Sequence, residues 1–253
     1  MEGRSLTLYC GETEVANWPS GTTGHMGPDH VQLWFTELHE QVAQLDRLRE
    51  LLDQEELARA ERFRFEHDRQ RFIIGHGLLR QVLAQRLNAR PHELRFARGP
   101  HGKPYIPEAG LHFNFSDTKD AILIAVAEGL ELGVDVETMA RTVDHMAVGE
   151  HYFTPEEVAD IRDTPDPKRR FLELWTRKEA VLKASGVGIM DDLKVLRVNT
   201  PEQTVEPAHE QFRRMAADKY HVRTWSLGTD HIMSLATPTS PAQVAFVPLL
   251  FGA

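Results

Sequence analysis

The 253-residue sequence predicts an α+β protein made of two halves of similar size that meet near residue 130. Two observations support this class. Helix and strand patterns follow one another without a long linker, and each half contains both kinds of element. With 41% hydrophobic residues, the chain can bury a core of ordinary size. No sequence repeat relates the two halves, so the prediction depends on the element patterns alone.

The first half opens with an irregular segment, a strand and a helix. Residues 13–30 are rich in Gly, Pro and Thr and predict a loop. The sequence VQLWF at 31–35 is typical of a strand. Asp53 is a good helix N-cap, and Glu56 follows it three residues later, so a capping box predicts a helix over 53–63.

A second helix and a hairpin follow. Apolar residues at helical spacing predict a helix from Arg71 to Leu87, which the proline at 91 would end. After a glycine-rich turn, LHFNFSD at 111–117 alternates apolar and polar residues, as a half-buried strand does. The uninterrupted apolar run AILIAVA at 121–127 predicts its hairpin partner in the middle of a sheet.

The second half predicts a strand, two helices and further short strands. LGVDVE at 132–137 is the strand, and Thr154-Pro155 marks a helix start with a threonine cap and a proline in the first turn. The amphipathic stretch 171–186 predicts a longer helix that stops at Gly186. The remaining strand patterns are VLRV (195–198), YHVRTWSL (220–227) and HIMSLAT (231–237).

Charge and cysteine content exclude several classes of protein. The 29 basic and 38 acidic residues give a net charge of -9, which argues against general nucleic-acid binding. A polyanionic ligand would therefore need a local basic cluster. Cys10 is the only cysteine, no signal peptide is evident, and the longest apolar run is too short to cross a membrane. We expect a cytoplasmic protein.

Asp135 and Glu137 are the first candidate functional residues. Residues two apart in a strand face the same side, so these carboxylates point together, while Val134 and Val136 point to the core. Two carboxylates on one face repel each other unless they are solvated or share a cation. A solvated strand end and a Mg²⁺ site both fit, because Mg²⁺ prefers a few carboxylates together with water and phosphate oxygens.

Glu179 is the candidate third ligand. It lies on the predicted helix 171–186 and shares a helix face with Lys183, four residues later. Taken alone, the two residues are typical of a surface ion pair. The combination is more specific: an acidic pair on a strand, then the TPEE helix start, then W-x-x-K-E-x-x-x-K on the next helix.

These motifs resemble those of the 4′-phosphopantetheinyl transferases, in particular the larger single-chain type similar to the surfactin-synthetase activating enzyme. GVDVE and, some forty residues later, WTRKEAVLK carry the resemblance, and HGKP and FN-x-S precede them in the same order. It covers roughly residues 31–235. The resemblance implies a pseudo-dimeric α+β fold with the active site between the halves 1–129 and 130–253, and a monomer.

The resemblance also implies a reaction. Such enzymes transfer the phosphopantetheine arm of coenzyme A to a serine of an acyl or peptidyl carrier protein and release 3′,5′-ADP. By this analogy Asp135, Glu137 and Glu179 bind Mg²⁺. Glu179 also helps to deprotonate the serine, directly or through water, and Lys183 neutralises phosphate charge as the leaving group departs.

Coenzyme A needs basic partners for its phosphates. The resemblance assigns Arg71 and Lys103 to them, with Arg59 as a third candidate and Ser116 as a hydrogen-bond donor. One residue departs from the family pattern: Asp117 stands where a histidine is expected to contact the 3′-phosphate, which an aspartate would repel. Either Asp117 turns away, or selectivity for the 3′-phosphate is reduced.

Three further expectations concern partners and alternatives. Apolar residues around HYFTPEEV, Phe153 among them, would form the docking patch for the carrier protein. One alternative function is a Mg²⁺-dependent phosphoesterase that acts on a pyrophosphate without a carrier. Another is a non-catalytic carrier-binding module, which the three filled acidic positions disfavour.

Overall fold

The computed structural model describes residues 5–18, 27–188, 193–206 and 210–249. Within these ranges the strands are β1 (Leu6–Val15), β2 (His30–Glu37), β3 (Ala97–Arg98), β4 (Pro104–Tyr105), β5 (Leu111–Asp117), β6 (Ala121–Glu128), β7 (Gly133–Thr138), β8 (Glu202–Val205), β9 (Lys219–Leu227), β10 (His231–Thr237) and β11 (Gln243–Phe246). The helices are α1 (Leu38–Gln41), α2 (Leu45–Glu50), α3 (Gln54–Ala60), α4 (Glu66–Leu87), α5 (His145–Tyr152), α6 (Pro155–Asp163), α7 (Pro167–Ser185) and α8 (Glu210–Met215). Short 3₁₀ turns cover Val42–Gln44, Pro91–Glu93 and Leu193–Val195.

Two sheets organise these elements and confirm the α+β class. One has the strand order β7-β10-β9-β1-β8, the other β11-β2-β6-β5, and β3 pairs only with β4. β1 lies between β8 and β9, and β11 pairs in parallel with β2. The first strand therefore belongs to the sheet of the second half, and the last strand to the sheet of the first half.

The layers explain the apolar run of β6. Ile122, Ile124 and Val126 pack against helices of the first half, whereas Leu123 and Ala125 pack against the other sheet. A strand that is covered on both faces has no polar side, which is why this stretch does not alternate. The two sheets thus share an apolar layer, and helices cover the outer face of each.

β7 is also covered on both faces, but one of these faces carries carboxylates. Val134 and Val136 belong to the layer between the sheets. Asp135 and Glu137 lie on the opposite face, which α7 covers. Gly133 permits this close packing, because a Cβ built there would lie 2.2 Å from the Ala180 carbonyl oxygen.

Several predicted boundaries are confirmed and others are wrong. Asp53 and Thr154 cap their helices through capping boxes, and Gly186 ends α7 with φ of 72°. α4 begins at Glu66, earlier than predicted, and ends at Leu87 as predicted, with Asn88 as its C-cap in the left-handed region. VLRV is not a strand; a 3₁₀ turn and then β8 occupy this part of the chain.

The predicted entry loop at 13–30 is only partly described. β1 extends to Val15 and β2 begins at His30, so both ends of the segment are strand, and residues 19–26 lie outside the described ranges. No helix within the described ranges combines the length and the apolarity needed to cross a lipid bilayer.

Candidate active site

The free edge of β7 is held by side chains of β5. The Val134 N–H donates to Asn114 Oδ1 at 2.9 Å, and the Val136 N–H donates to Ser116 Oγ at 3.3 Å. Asn114 and Ser116 are two residues apart on one face of β5, and so are their partners on β7. The FN-x-S segment therefore joins the two halves and fixes the strand that carries the carboxylates.

Buried Asp135 and Ser116 form a cluster with the half-buried Lys183. Lys183 Nζ lies 2.8 Å from both Asp135 Oδ1 and Ser116 Oγ, and the Ser116 hydroxyl donates to Asp135 Oδ1 at 2.9 Å. Asp135 is only 6% exposed, so the prediction of a solvated strand end is wrong. Its second oxygen, Oδ2, is buried and has no hydrogen-bond partner among the described residues.

Glu137 and Glu179 adjoin this cluster. Burial, followed by the charge of Asp135, raises the pKa of Glu137 to about 7. The same two causes, in the same order, raise the pKa of Glu179 to about 7. Glu137 forms an ion pair with Arg141, whose guanidinium also lies over the Trp175 ring. Asp135 is thus close enough to both glutamates to oppose their ionisation.

These carboxylates suit a hard divalent cation, although they are not arranged as a finished coordination site. In the part of the chain that the structure describes, no three His, Cys, Asp or Glu side chains are grouped so that they could hold a metal ion as they stand. The unpartnered Asp135 Oδ2 and the raised pKa values of both glutamates nevertheless mark a place where a cation would relieve repulsion. The oxygen donors match the preference of Mg²⁺.

A pocket of about 440 Å³ opens beside Glu137. Charged side chains of both signs dominate its lining, and they come from both halves of the chain. The lining residues are Arg71, Asp117, Thr118, Lys119, Glu137, Thr138 and Arg141. An anionic group could enter here next to the carboxylate cluster.

Arg71 reaches this pocket but is already paired. Its Nε lies 3.0 Å from Asp117 Oδ2, and its Nη2 lies 2.9 Å from Asp68 Oδ1. One alternative from the sequence was that Asp117 turns away. The structure contradicts it, because Asp117 pairs with Arg71 at the pocket. Burial raises the pKa of Asp117, while Arg71 and Lys183 oppose that rise.

Lys103, the second predicted phosphate contact, is held by backbone carbonyl groups in this structure. Its ammonium donates to the carbonyl oxygens of Leu132 at 3.1 Å and Ala184 at 3.0 Å, so it ties the HGKP turn to β7 and to the end of α7. Burial lowers the pKa of Lys103. Lys103 thus cross-links the two halves in this structure, and its contact with a phosphate stays a prediction.

Arg59 faces a second, larger cleft of about 1120 Å³. Its guanidinium carbon lies 5.0 Å from the centroid of the Phe72 ring. The cleft also presents the basic side chains of Arg62, His76, His92, Arg95 and Arg98. Asp53, Glu55 and Glu56 line it as well, so the cleft carries charges of both signs; its arginines are the local basic groups that a phosphate ligand would need in a chain of net charge -9.

The Phe153 side chain of the predicted docking patch is not at the surface. Phe153 is only 1% exposed and packs against Phe171 and Trp175, so its predicted place in a surface docking patch is wrong.

Two residues of the site, Arg141 and Asn114, were not predicted from the sequence. Arg141 stands four residues after Glu137 and Asn114 two residues before Ser116, so their spacing was the available signal.

The site brings acidic and basic side chains together between two α+β halves, an arrangement suited to chemistry on charged groups. Family comparison is more specific. Residues 131–236 match the 4′-phosphopantetheinyl transferase superfamily, and residues 39–129 match the N-terminal region of a 4′-phosphopantetheinyl transferase. The chain therefore belongs to the 4′-phosphopantetheinyl transferase superfamily.

Individual relatives agree. The chain is 36% identical over 189 residues to the 4′-phosphopantetheinyl transferase HetI of Nostoc sp. strain PCC 7120, covering 72% of this chain and 78% of that protein. It is 29% identical over 214 residues to the 4′-phosphopantetheinyl transferase psf-1 of Bacillus pumilus, covering 82% and 87%. It is 25% identical over 147 residues to the 4′-phosphopantetheinyl transferase Sfp of Bacillus subtilis strain 168, covering 57% and 64%.

Proposed function

We propose that this enzyme transfers the 4′-phosphopantetheine arm of coenzyme A to a serine of an acyl or peptidyl carrier protein. The serine oxygen would form a bond to the β-phosphorus of the pyrophosphate, and the bond from that phosphorus to 3′,5′-ADP would break. The observation that carries the proposal is the Asp135–Ser116–Lys183 cluster, at the junction of the halves in a member of this family.

The carboxylates would provide the site for a divalent metal ion. Asp135, Glu137 and Glu179 would hold Mg²⁺, which supplies positive charge to the pyrophosphate oxygens when bound. Asp135 is the firmest of the three candidates, because Oδ1 is fixed by Lys183 and Ser116 while the buried Oδ2 has no described partner. Loss of this side chain should therefore remove both the metal ligand and the anchor of Lys183.

Lys183 and Glu179 would serve the transfer itself. Both project from α7, four residues apart on one helix face. Lys183 brings a positive charge to the leaving 3′,5′-ADP, and Glu179 accepts the proton of the carrier serine through a water molecule. Alignment of the serine with the pyrophosphate would contribute further to the rate.

Basic side chains of both cavities would hold the nucleotide end of coenzyme A. Arg59 faces the larger cleft with Arg95 and Arg98, and Arg71 faces the smaller pocket. Lys103 stays a predicted phosphate contact, and such a contact would require its ammonium to exchange a backbone carbonyl for a phosphate oxygen. We also propose a cytoplasmic monomer in which 1–129 supplies coenzyme A contacts and 130–253 supplies the catalytic side chains.

The decisive experiment is intact mass spectrometry of an apo acyl carrier protein after incubation with the enzyme, Mg²⁺ and coenzyme A. We expect a mass gain of one phosphopantetheine arm with the wild type and with Asp163→Ala, an exposed acidic control at the end of α6. Asp135→Ala should give no gain. Absence of modification on several carriers would contradict the proposal, and 3′,5′-ADP formed without any carrier would favour the phosphoesterase.

A further inference from the structure

Arg141 lies directly beyond β7 in a turn that is fixed from two sides. The Arg141 N–H donates to the Thr138 carbonyl at 3.1 Å, and the Ala140 N–H donates to Thr138 Oγ1 at 3.1 Å. Lys119, from the turn between β5 and β6, donates to the Ala140 carbonyl at 2.8 Å. The backbone of this turn is therefore held by both halves of the chain.

The Arg141 side chain is directed toward the carboxylate cluster. Its guanidinium pairs with Glu137, and its central carbon lies 5.7 Å from the Trp175 ring centroid on α7. The Glu137 side chain is 12% exposed, whereas that of Arg141 is 34% exposed. The carboxylate is thus confined, while the guanidinium borders the pocket of about 440 Å³ and has room to turn into it.

The other cations at this pocket have partners of their own. Arg71 pairs with Asp117, and Lys119 donates to a backbone carbonyl; Lys183, which is not among the lining residues, pairs with Asp135. Arg141 is the cation in contact with Glu137. A divalent ion that binds Glu137 would meet this positive charge at the same carboxylate, and the two cations would repel each other.

We propose that Arg141 is an exchangeable counter-ion of Glu137, which leaves the carboxylate when a divalent cation binds and then pairs with a phosphate of coenzyme A. The guanidinium fork suits a phosphate group, and the pocket gives it access to one. Metal and coenzyme A would consequently bind cooperatively. The metal ion provides a new partner for Glu137, and a phosphate of coenzyme A provides one for Arg141. The inference rests on the proposed function, since it requires Glu137 to be a metal ligand.

The test uses Mn²⁺ as the probe and electron paramagnetic resonance to measure the free ion during titration of the 253-residue chain. Without coenzyme A, Arg141→Gln should bind Mn²⁺ about tenfold more tightly than the wild type, within the usual range of coupling between sites. Arg71→Gln is the matched control, because it removes an equal charge from the same pocket without touching Glu137. It should change the affinity by about twofold at most, since separated charges are screened.

The second arm adds coenzyme A, with the Mn²⁺ bound by coenzyme A alone subtracted. Coenzyme A should tighten Mn²⁺ binding by a larger factor in the wild type than in Arg141→Gln, because the variant has no guanidinium to transfer. Arg141→Lys keeps the charge without the fork and should fall between the two. Melting temperatures identify any variant that fails to fold, and the lysine variant then replaces the glutamine variant.

Failure of this inference differs from failure of the proposed function. If the wild type binds Mn²⁺ and Asp135→Ala does not, the metal site stands; equal affinities of Arg141→Gln and Arg71→Gln would then overturn only the role of Arg141. If the wild type binds no Mn²⁺ with or without coenzyme A, both are overturned. A coenzyme A effect of the same size in Arg141→Gln and the wild type would overturn the exchange.

Discussion

Ser116 is saturated with hydrogen bonds before any ligand arrives. Its hydroxyl donates to Asp135 and accepts from the Val136 N–H and from Lys183. A hydroxyl offers one donor and two acceptor positions, so all three are occupied. The predicted contact of Ser116 with coenzyme A would therefore have to replace one of these bonds. In this structure Ser116 links β5 to β7 and α7.

Lys183 gives the first prediction. Lys183→Met removes the charge that touches Asp135 and Ser116, and we expect kcat/KM for carrier modification to fall by roughly 10²–10³-fold, as for loss of one electrostatic stabiliser. Lys168→Met, in the first turn of the same helix, is the control and should stay near the wild type. Steady-state kinetics checks this. A loss smaller than tenfold would assign Lys183 a structural role only.

Asp117 gives a prediction about selectivity. Asp117→Asn removes a carboxylate from Arg71, so we expect coenzyme A to bind about tenfold more tightly while 3′-dephospho-coenzyme A changes little. Calorimetry with both ligands measures the ratio. Asp68→Asn is the control, because Asp68 also pairs with Arg71 but does not line the pocket. An equal gain for both ligands would show that Asp117 does not sense the 3′-phosphate.

At the scale of single elements, local signals predicted what local interactions decide. The caps at Asp53 and Thr154 and the stop at Gly186 depend on neighbours within a few residues, and the structure confirms them. VLRV has strand composition but no partner strand, so its propensity was overridden. β1 was missed because its second part, GETEV, lacks apolar alternation.

For the candidate site as well, the sequence predicted local relations between residues but not those that depend on distant segments. The spacing of Asp135 and Glu137 correctly placed both side chains on one face, but the burial of that face depends on α7, which lies far away in the sequence. Lys178 illustrates the same limit: it stands beside Glu179 in the motif, yet it is fully buried and pairs with Glu157 at 2.8 Å. Only the tertiary fold separates the catalytic candidate from the structural ion pair.

Gly133 carries the prediction for the β7–α7 pair. Gly133→Ala places a Cβ against the α7 backbone, so α7 must move away from the carboxylates. We expect a loss of about 2–3 kcal/mol in the free energy of unfolding, together with a large loss of activity. Chemical denaturation measures the free energy of unfolding. The control is Gly11→Ala, whose Cβ would lie 3.8 Å from its nearest neighbour and should cost far less; equal effects would contradict the packing argument.

At the scale of the whole molecule, the sheets exchange strands between the ends of the chain. Thr7 of β1 pairs with Lys219 of β9, and Gln243 of β11 pairs with His30 of β2. Sequence patterns give no register between segments so far apart, so this exchange could not be predicted. The division into 1–129 and 130–253 remains a proposal about function, while the sheets themselves cross it.

The exchange predicts how fragments behave. Fragment 130–253 lacks the strand between β8 and β9, and fragment 1–129 lacks the edge strand beside β2, so neither should unfold cooperatively alone. Coexpressed, they should assemble and show one transition. Circular dichroism during thermal unfolding checks both statements. A sharp transition of 130–253 alone would show that β1 is dispensable for that sheet.

β1 also sets an order of events during synthesis. Leu6 and Leu8 are buried in the finished protein, but the partners of their strand begin at residues 202 and 219. At ribosomal speeds of roughly 5–20 residues per second, this apolar strand waits on the order of 10–40 s for its sheet. By contrast, β2, β5 and β6 are complete soon after residue 128 leaves the ribosome. β1 is thus made long before its partner strands can shelter it, which makes it a segment that a nascent-chain chaperone would be expected to protect.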